Sequence, residues 1–452
     1  MVTRLLVVLC LMLVSVPARA QSVAGDWMGT LDAGALKLRV VFHITETDKG
    51  LAATLDSPDQ NAMALPTSSV TLTGSTLKIE MPRLGATFEG QRSADGARLE
   101  GTFIQGGVSM PLVLARVTDA AQLERKRPQI PTKPYPYREE DVTIENPSAG
   151  VKLAGTLTLP QGQGPFTSVI LLSGSGPQDR NESLMGHEPF RVLADHLTRK
   201  GIAVLRYDDR GFGKSTGNFA SSTTADFATD AEAAVAFLET RPEIAPRKIG
   251  LIGHSEGGVI APMVAARNSH VAFIVLMAGT GVRGDEVVAL QGSAIVEAMG
   301  MPKAMVDQIA ARQREMLALL KSEPDDAVVI KKLQELNPGA EAQVTAQVRQ
   351  MRSPWFRYFL DYDPAIALRK VTVPVLAING DKDRQVVASQ NLPAIRAALE
   401  AAGNKTVEMV ELPGLNHLFQ TSKTGAPNEY GAIEETIAPV VLDTIAKWLL
   451  AR

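Results

Sequence analysis

The chain reads as an α/β protein, a mostly parallel sheet with helices on both faces, preceded by a separate all-β domain. Three observations predict this. From about residue 142 onward, apolar runs of strand length alternate with helical patterns such as Phe227, Ala231, Ala234 and Leu238. Before that, over 23–117, the pattern is strict alternation: Leu36, Leu38, Val40, Phe42 and Ile44 share one face, and Leu77-Ile79-Met81 and Met110-Leu112-Leu114 repeat the period of two. Between the two regimes, residues 127–137 carry four prolines, which favours an extended, semi-rigid connector.

In chain order, residues 1–20 have the form of a targeting segment. Arg4 gives the positive start, residues 5–16 the apolar core, and Ala18-Arg19-Ala20 a small-residue cleavage site. The apolar stretch is too short to span a bilayer comfortably, so the expected mature chain is exported, periplasmic or secreted, with no stable membrane span. Cys10 is the only cysteine and leaves with this segment. Residues 21–117 are then a β-rich domain, a small barrel or meander in which Trp27 and Phe103 are expected in the core. Residues 118–138 form the linker and 139–452 the α/β domain.

Within 139–452, strands are expected at 142–144, 152–159, 169–172, 203–207, 248–252, 273–277, 373–378 and 407–412. A helical insertion at about 284–363, punctuated by Pro302, Pro324 and Pro338, falls between the sixth and seventh of them. Ile309, Met316, Leu317 and Leu320 have amphipathic spacing there. Pro262 falls inside the helix expected after residue 255, an awkward place for a residue without an N–H.

Chemistry enters at Gly253-His254-Ser255-Glu256-Gly257, which follows the strand at 248–252 and precedes a helix. A turn this tight strains the central residue and exposes its hydroxyl, so small neighbours are a steric need. A serine hydroxyl is a weak nucleophile until a base takes its proton and a third group holds that base. Carboxylates follow the strand at 373–378, in Gly380-Asp381-Lys382-Asp383, and a histidine follows the strand at 407–412, in Asn416-His417. The chain order is serine, acid, histidine.

These motifs, with Ser173-Gly174-Ser175-Gly176 and Asp209-Arg210-Gly211-Phe212-Gly213-Lys214-Ser215, resemble the α/β-hydrolase superfamily over roughly two-thirds of the chain. Within it the chain is similar to bacterial serine carboxylesterases whose lid resembles that of the serine aminopeptidases. The resemblance implies Ser255 as nucleophile, His417 as base, Asp383 rather than Asp381 as the acid, and an oxyanion hole built from the backbone N–H groups of Glu256 and Ser175. It also places a lid at the helical insertion, where Met299, Met301, Met305, Met316, Trp355, Phe356 and Tyr358 could form an apolar wall. Where the family often has a histidine, this chain has Ser173.

Other motifs read more plainly. Gly213-Lys214-Ser215-Thr216-Gly217 repeats the serine pattern without a strand leading into it, so Ser215 is a turn residue. Gly279-Thr280-Gly281-Val282-Arg283-Gly284 imitates a dinucleotide fingerprint, but Glu297 sits in a helical run rather than at the end of a second parallel strand. His43, His187, His196, His254 and His270 have no metal-ligand spacing. Glu256 reads as a helix-start carboxylate and Asp209-Arg210 as a structural pair. A net charge of −3 argues against a nucleic-acid surface. The short basic run at 124–127 reads as a solvated edge.

The expectation is a serine hydrolase acting on small carboxylic esters, without cofactor or metal. Two alternatives stand beside it. One is a serine peptidase of aminopeptidase or prolyl oligopeptidase type on the same fold, with Glu188, Glu286 or Glu297 capturing a free amine. The other is a catalytically silent protein that binds ligands through its β-rich domain.

Overall fold

The computed structural model describes residues 22–32, 37–58, 62–119, 123, 126–336 and 341–452. The expected targeting segment (residues 1–20, with Cys10), Leu36, Glu124 and Arg125 of the basic run, and Pro338 lie outside the described residues. The chain divides into two compact units, one ending at Glu124 and one beginning at Arg125.

The first unit is a nine-stranded antiparallel sheet among the described residues. Its strands are β1 (Gly25–Asp32), β2 (Lys37–Thr47), β3 (Gly50–Ser57), β4 (Ala62–Pro66), β5 (Ser69–Thr73), β6 (Thr76–Met81), β7 (Ala86–Arg92), β8 (Arg98–Gln105) and β9 (Val108–Arg116). They are ordered β4-β3-β2-β1-β9-β8-β7-β6-β5. Phe42 on β2 and Phe88 on β7 stand four strand positions apart, yet their ring centroids are 5.7 Å apart. In a flat sheet that separation would be about 19 Å. The sheet therefore curls, and its concave face closes on itself. Trp27, Phe42, Leu77, Ile79, Met81, Phe88, Phe103 and Leu114 fill that face. Trp27 is fully buried, with Nε1–H donating to the Val23 carbonyl at 2.8 Å, so the indole is core.

The second unit is built on an eight-stranded sheet: β10 (Arg138–Asn146), β11 (Val151–Leu159), β12 (Phe166–Leu172), β13 (Ala203–Tyr207), β14 (Ile244–His254), β15 (Val271–Met277), β16 (Val375–Gly380) and β17 (Val407–Leu412). The order is β10-β11-β13-β12-β14-β15-β16-β17. Only the pairings of β11 with β10 and with β13 are antiparallel; the remaining pairings are parallel. Each central strand feeds two cores by the period of two. On β12, Ile170 and Leu172 face one core while Val169 and Leu171 face the other.

Helices α1 (Pro189–Arg199) and, at the chain end, α11 (Pro439–Leu450) cover one face through Leu193, Leu197, Val441 and Ile445. On the other face lie α2 (Thr224–Glu239), α3 (Gly257–Ala265) and α10 (Ala388–Ala401), through Ala231, Val235, Val264, Ile395 and Leu399. A capping box between Thr223 and Asp226 starts α2. Pro262 lies buried in α3, which ends three residues later at Ala265. This is the α/β-hydrolase arrangement.

Between β15 and β16 the chain forms α4 (Gly284–Ala298), α5 (Lys303–Ser322), α6 (Asp326–Leu336), α7 (Glu341–Met351) and α8 (Pro354–Asp361), then a short α9 (Ala365–Leu368). The insertion has its own small core of Leu317, Leu320, Val329, Leu333, Val348 and Met351.

The proline-rich segment is bound along the second unit. Gln129 Oε1 accepts from the N–H groups of Thr436 (2.5 Å) and Ile437 (3.1 Å), and its Nε2 donates to the Ile437 carbonyl at 2.7 Å. Arg127 donates to the carbonyls of Met185, Gly431 and Ile433. Arg191 reaches back to the Pro131 carbonyl and the Tyr135 hydroxyl, and Tyr137 donates to Asp195.

Candidate active site

Strand β14 ends at His254 and α3 begins at Gly257, so Ser255 and Glu256 make the whole turn. Ser255 has φ 52°, a left-handed conformation that costs a non-glycine residue of order 1–3 kcal/mol. Packing on both sides sustains it. A Cβ at Gly253 would stand 1.9 Å from the Gly257 carbonyl oxygen, and one at Gly257 would stand 2.1 Å from that of Leu172. The Ser255 N–H donates to the Met277 carbonyl at 2.8 Å, which ties the turn to β15.

The acid and the histidine meet. His417 Nδ1–H donates to Asp383 Oδ2 at 2.8 Å, while Asp383 Oδ1 accepts the N–H groups of Gln385 and Val386, both at 2.8 Å. Asp383 is 1% exposed and His417 5%. Asp381, two residues earlier, accepts instead from the Gly414 N–H at 2.6 Å. Because Nδ1 is committed to the carboxylate, Nε2 is the ring nitrogen left for chemistry. Ser255 and His417 line one cavity of about 310 Å³ in the second unit, together with Gly174, Ser175, His254 and Glu256.

Two carboxyls hold successive residues of the loop after β12. Ser173 Oγ–H donates to Asp209 Oδ1 at 2.8 Å, and the Gly174 N–H donates to Glu182 Oε1 at 2.7 Å. Burial pushes the Asp209 carboxyl up to about 8, although the Gln178 N–H and the Ser173 hydroxyl favour its ionised form. Asp209 and Arg210 are therefore not partners. Arg210 instead grips Asp230 through Nε (2.6 Å) and Nη2 (2.8 Å).

Glu256 departs from the reading as a helix-start carboxylate. Its side chain makes no cap; it turns inward to accept from Thr224 Oγ1 and Trp355 Nε1, each at 2.7 Å. Burial pushes its pKa up. This carboxyl joins α2 and the helical insertion. Trp355 and Phe359 stack at 5.5 Å and 4° and, with Phe356, Val287 and Val288, give the cavity its apolar wall. Met299, Met301 and Met305 are exposed, and Met316 packs inside the insertion, so none of them forms that wall.

Sequence reasoning missed two things. His254 is buried and bonded to Glu182, which lies 72 residues away. Gln178, Gln291 and Gln385 supply polar groups to the cavity. Of the carboxylates considered for amine capture, Glu188 pairs with Arg191 at 2.7 Å, and Glu286 and Glu297 are exposed. Among the described residues, no group of three or more His, Cys, Asp or Glu side chains is arranged to hold a metal ion.

The rejected motifs have structural explanations. Ser215 Oγ–H donates to the Asp208 carbonyl at 2.7 Å and accepts from the Ala154 N–H at 2.9 Å, pinning its turn to β11. Ser215→Ala should cost about 1–2 kcal/mol of stability and leave kcat/KM within about twofold, measured by denaturant unfolding and steady-state kinetics. The glycines 279, 281 and 284 permit close backbone approach: a Cβ at Gly281 would lie 2.4 Å from the Asn391 carbonyl, and one at Gly284 would lie 2.1 Å from that of Phe359.

Residues 188–421 match the family Hydrolase_4, described as "Serine aminopeptidase, S33". Among curated proteins, the chain is 27% identical over 321 residues to Esterase EstD of Thermotoga maritima, covering 70% of this chain and 68% of that protein. Among solved structures it is similar to the Pyrococcus furiosus esterase Pf2001 (16% identity, TM-score 0.45, 72% of this chain and 97% of that one). It is also similar to Est1E from Butyrivibrio proteoclasticus with ferulic acid bound (17% identity, TM-score 0.40, 69% and 98%).

Proposed function

We propose that this chain, which belongs to the Hydrolase_4 family of serine aminopeptidase-like hydrolases, is an exported serine carboxylesterase that works through an acyl-enzyme. The observation that carries the reading is the buried Asp383–His417 pair opening onto the same cavity as Ser255, itself held on a strained turn.

In this reading Ser255 Oγ attacks the ester carbonyl while His417 Nε2 takes its proton, and the imidazolium then protonates the leaving alcohol. Asp383 fixes the tautomer and stabilises the charged ring. Water attacks the acyl-enzyme with His417 again as base, returning the serine. The developing oxyanion meets the Glu256 N–H, which has no intrahelical acceptor at the start of α3, and the Ser175 N–H. Gly174 cannot serve, because Glu182 already holds its N–H. The helices α4–α8 act as the lid that shapes the acyl pocket, and residues 1–20 direct export.

Ester is favoured over aminopeptide by the carboxylates. Capture of a substrate ammonium needs a free carboxylate at the cavity. The two that line it among the described residues are engaged: Glu182 by His254 and Gly174, and Glu256 by Thr224 and Trp355. The relative EstD, named an esterase, points the same way.

The test uses purified protein lacking residues 1–20, p-nitrophenyl acyl esters of increasing chain length, aminoacyl p-nitroanilides and an organophosphonate. Ester turnover with phosphonylation of Ser255 is expected. Amide turnover exceeding ester turnover would replace the substrate class, and absence of both turnover and labelling would leave a binding role.

A further inference from the structure

We propose that Glu182 and His254 form a standing carboxylate–imidazolium pair that fixes the loop carrying Ser175 to the turn carrying His417, so that both are positioning residues for the reaction. The proposal rests on the esterase reading above.

The geometry leaves the ring one protonation state. His254 Nδ1 faces Glu182 Oε1 at 2.8 Å and its Nε2 faces the His417 carbonyl oxygen at 3.0 Å. A carbonyl oxygen can only accept. Glu182 Oε1 also accepts the Gly174 N–H at 2.7 Å, and a carboxylate oxygen, like the carbonyl, can only accept. Both ring nitrogens must therefore donate, which only the doubly protonated imidazole can do. The result is one continuous chain of bonds: Gly174 N–H, Glu182 carboxylate, His254 imidazolium, His417 carbonyl. One end lies beside the Ser175 oxyanion donor and the other is the backbone of the general base.

Burial and strain show how firmly this pair is built in. Glu182 is 5% exposed and His254 6%. Glu182 holds φ 53°, an unfavourable conformation for a non-glycine residue and one sustained only where surrounding contacts over-determine it. A Cβ at Gly174 would lie 3.3 Å from both Glu182 Oε1 and Ser255 Cβ, so the loop approaches the nucleophile closely at this point. Neither residue needs to touch substrate chemically. What they set is where two catalytic groups stand relative to each other, and displacement of oxyanion donors or base by about 1 Å costs on the order of a hundredfold in rate.

The charged and titratable groups facing His254 are Glu182, Asp383 and His417, whose ring centroid is 4.9 Å away; Phe419 closes the remaining side. Burial works against the charged ring. The Glu182 charge and hydrogen bond, the His417 carbonyl and Asp383 outweigh it and hold the His254 pKa above its ordinary value. A raised histidine pKa means that the pair's contribution is complete below the ordinary histidine pKa and is lost as pH rises through the raised one. Activity should therefore carry an alkaline limb belonging to this pair.

Glu182→Gln removes the countercharge while keeping an oxygen that can accept from Gly174. Expected are a kcat lowered about tenfold or more near pH 8 with KM within about twofold, and an alkaline limb moved to lower pH by about 1 unit or more. A loss of packing alone would lower activity by one factor at every pH. An alkaline limb and kcat equal to wild type would overturn the proposal. Imidazole ¹⁵N NMR of the wild-type protein gives a second readout that needs no variant to be active. His254, identified by its change in Glu182→Gln or its loss in His254→Asn, should show two protonated nitrogens at pH 7, and a neutral tautomer would overturn the proposal. Phosphonylation of Ser255 in wild type separates the two levels: without it the esterase reading fails, whereas labelling together with a neutral His254 defeats the pair alone.

Discussion

Ser255→Ala should lower kcat on esters by about a millionfold while changing unfolding free energy little, because loss of a triad nucleophile removes the covalent path and leaves only positioning and oxyanion stabilisation. Alanine removes one oxygen from a turn whose backbone is set by Gly253, Gly257 and the Met277 carbonyl. Binding of an unreactive ester analogue should persist within a few-fold. Burst-phase kinetics and mass spectrometry after phosphonate treatment are the measurements. Retention of more than a per cent of wild-type activity, with loss instead in Ser215→Ala, would assign the nucleophile to the wrong serine.

The second large effect belongs to Asp383. Asp383→Asn should reduce kcat by about 10⁴-fold, since an amide in place of Oδ2 favours the wrong histidine tautomer. The N–H groups of Gln385 and Val386 fall on Oδ1, so an asparagine that keeps its oxygen there presents –NH₂ toward His417 Nδ1. That nitrogen would then accept, leaving the proton on Nε2, where it blocks general-base action. Steady-state kinetics from pH 6 to 9 would show the loss across the range. Asp381→Asn, which touches only the Gly414 N–H, should retain most activity in the same assay.

The sheet was legible because its inner strands are buried on both faces and so appear as short apolar runs ending in polar residues. Residues 203–207 coincide with β13, and 248–252 lies inside the longer β14. Ser255 was legible because its strain demands glycine on both sides, a local requirement that the chain writes within five residues. Asp383 and His417 could be found because each sits just past a strand end, so the fold carries them to one edge of the sheet. Contacts made across long separations left no such mark. Trp355 and Glu256 are 99 residues apart, and the bond between them uses a tryptophan and a glutamate that each have an ordinary local explanation. The same holds for Glu182 and His254, where two of the three bonds involve backbone groups that any residue would supply. Met299, Met301 and Met305 show the converse: apolar composition suggests a cavity wall, but Met299 and Met301 lie in the connection between α4 and α5, Met305 lies in the first turn of α5, and all three are exposed.

The run of prolines ahead of β10 has a practical bearing on how the two halves can be separated. Its side chains and carbonyls brace the carboxyl-terminal half through Thr436, Ile437, Arg191 and Asp195. Excision of the β-rich half that began the remainder at Arg138 would strip this brace and uncover backbone amides that Gln129 now satisfies. A cut ahead of Arg127 would keep the brace in place, so the prolines belong with the carboxyl-terminal half.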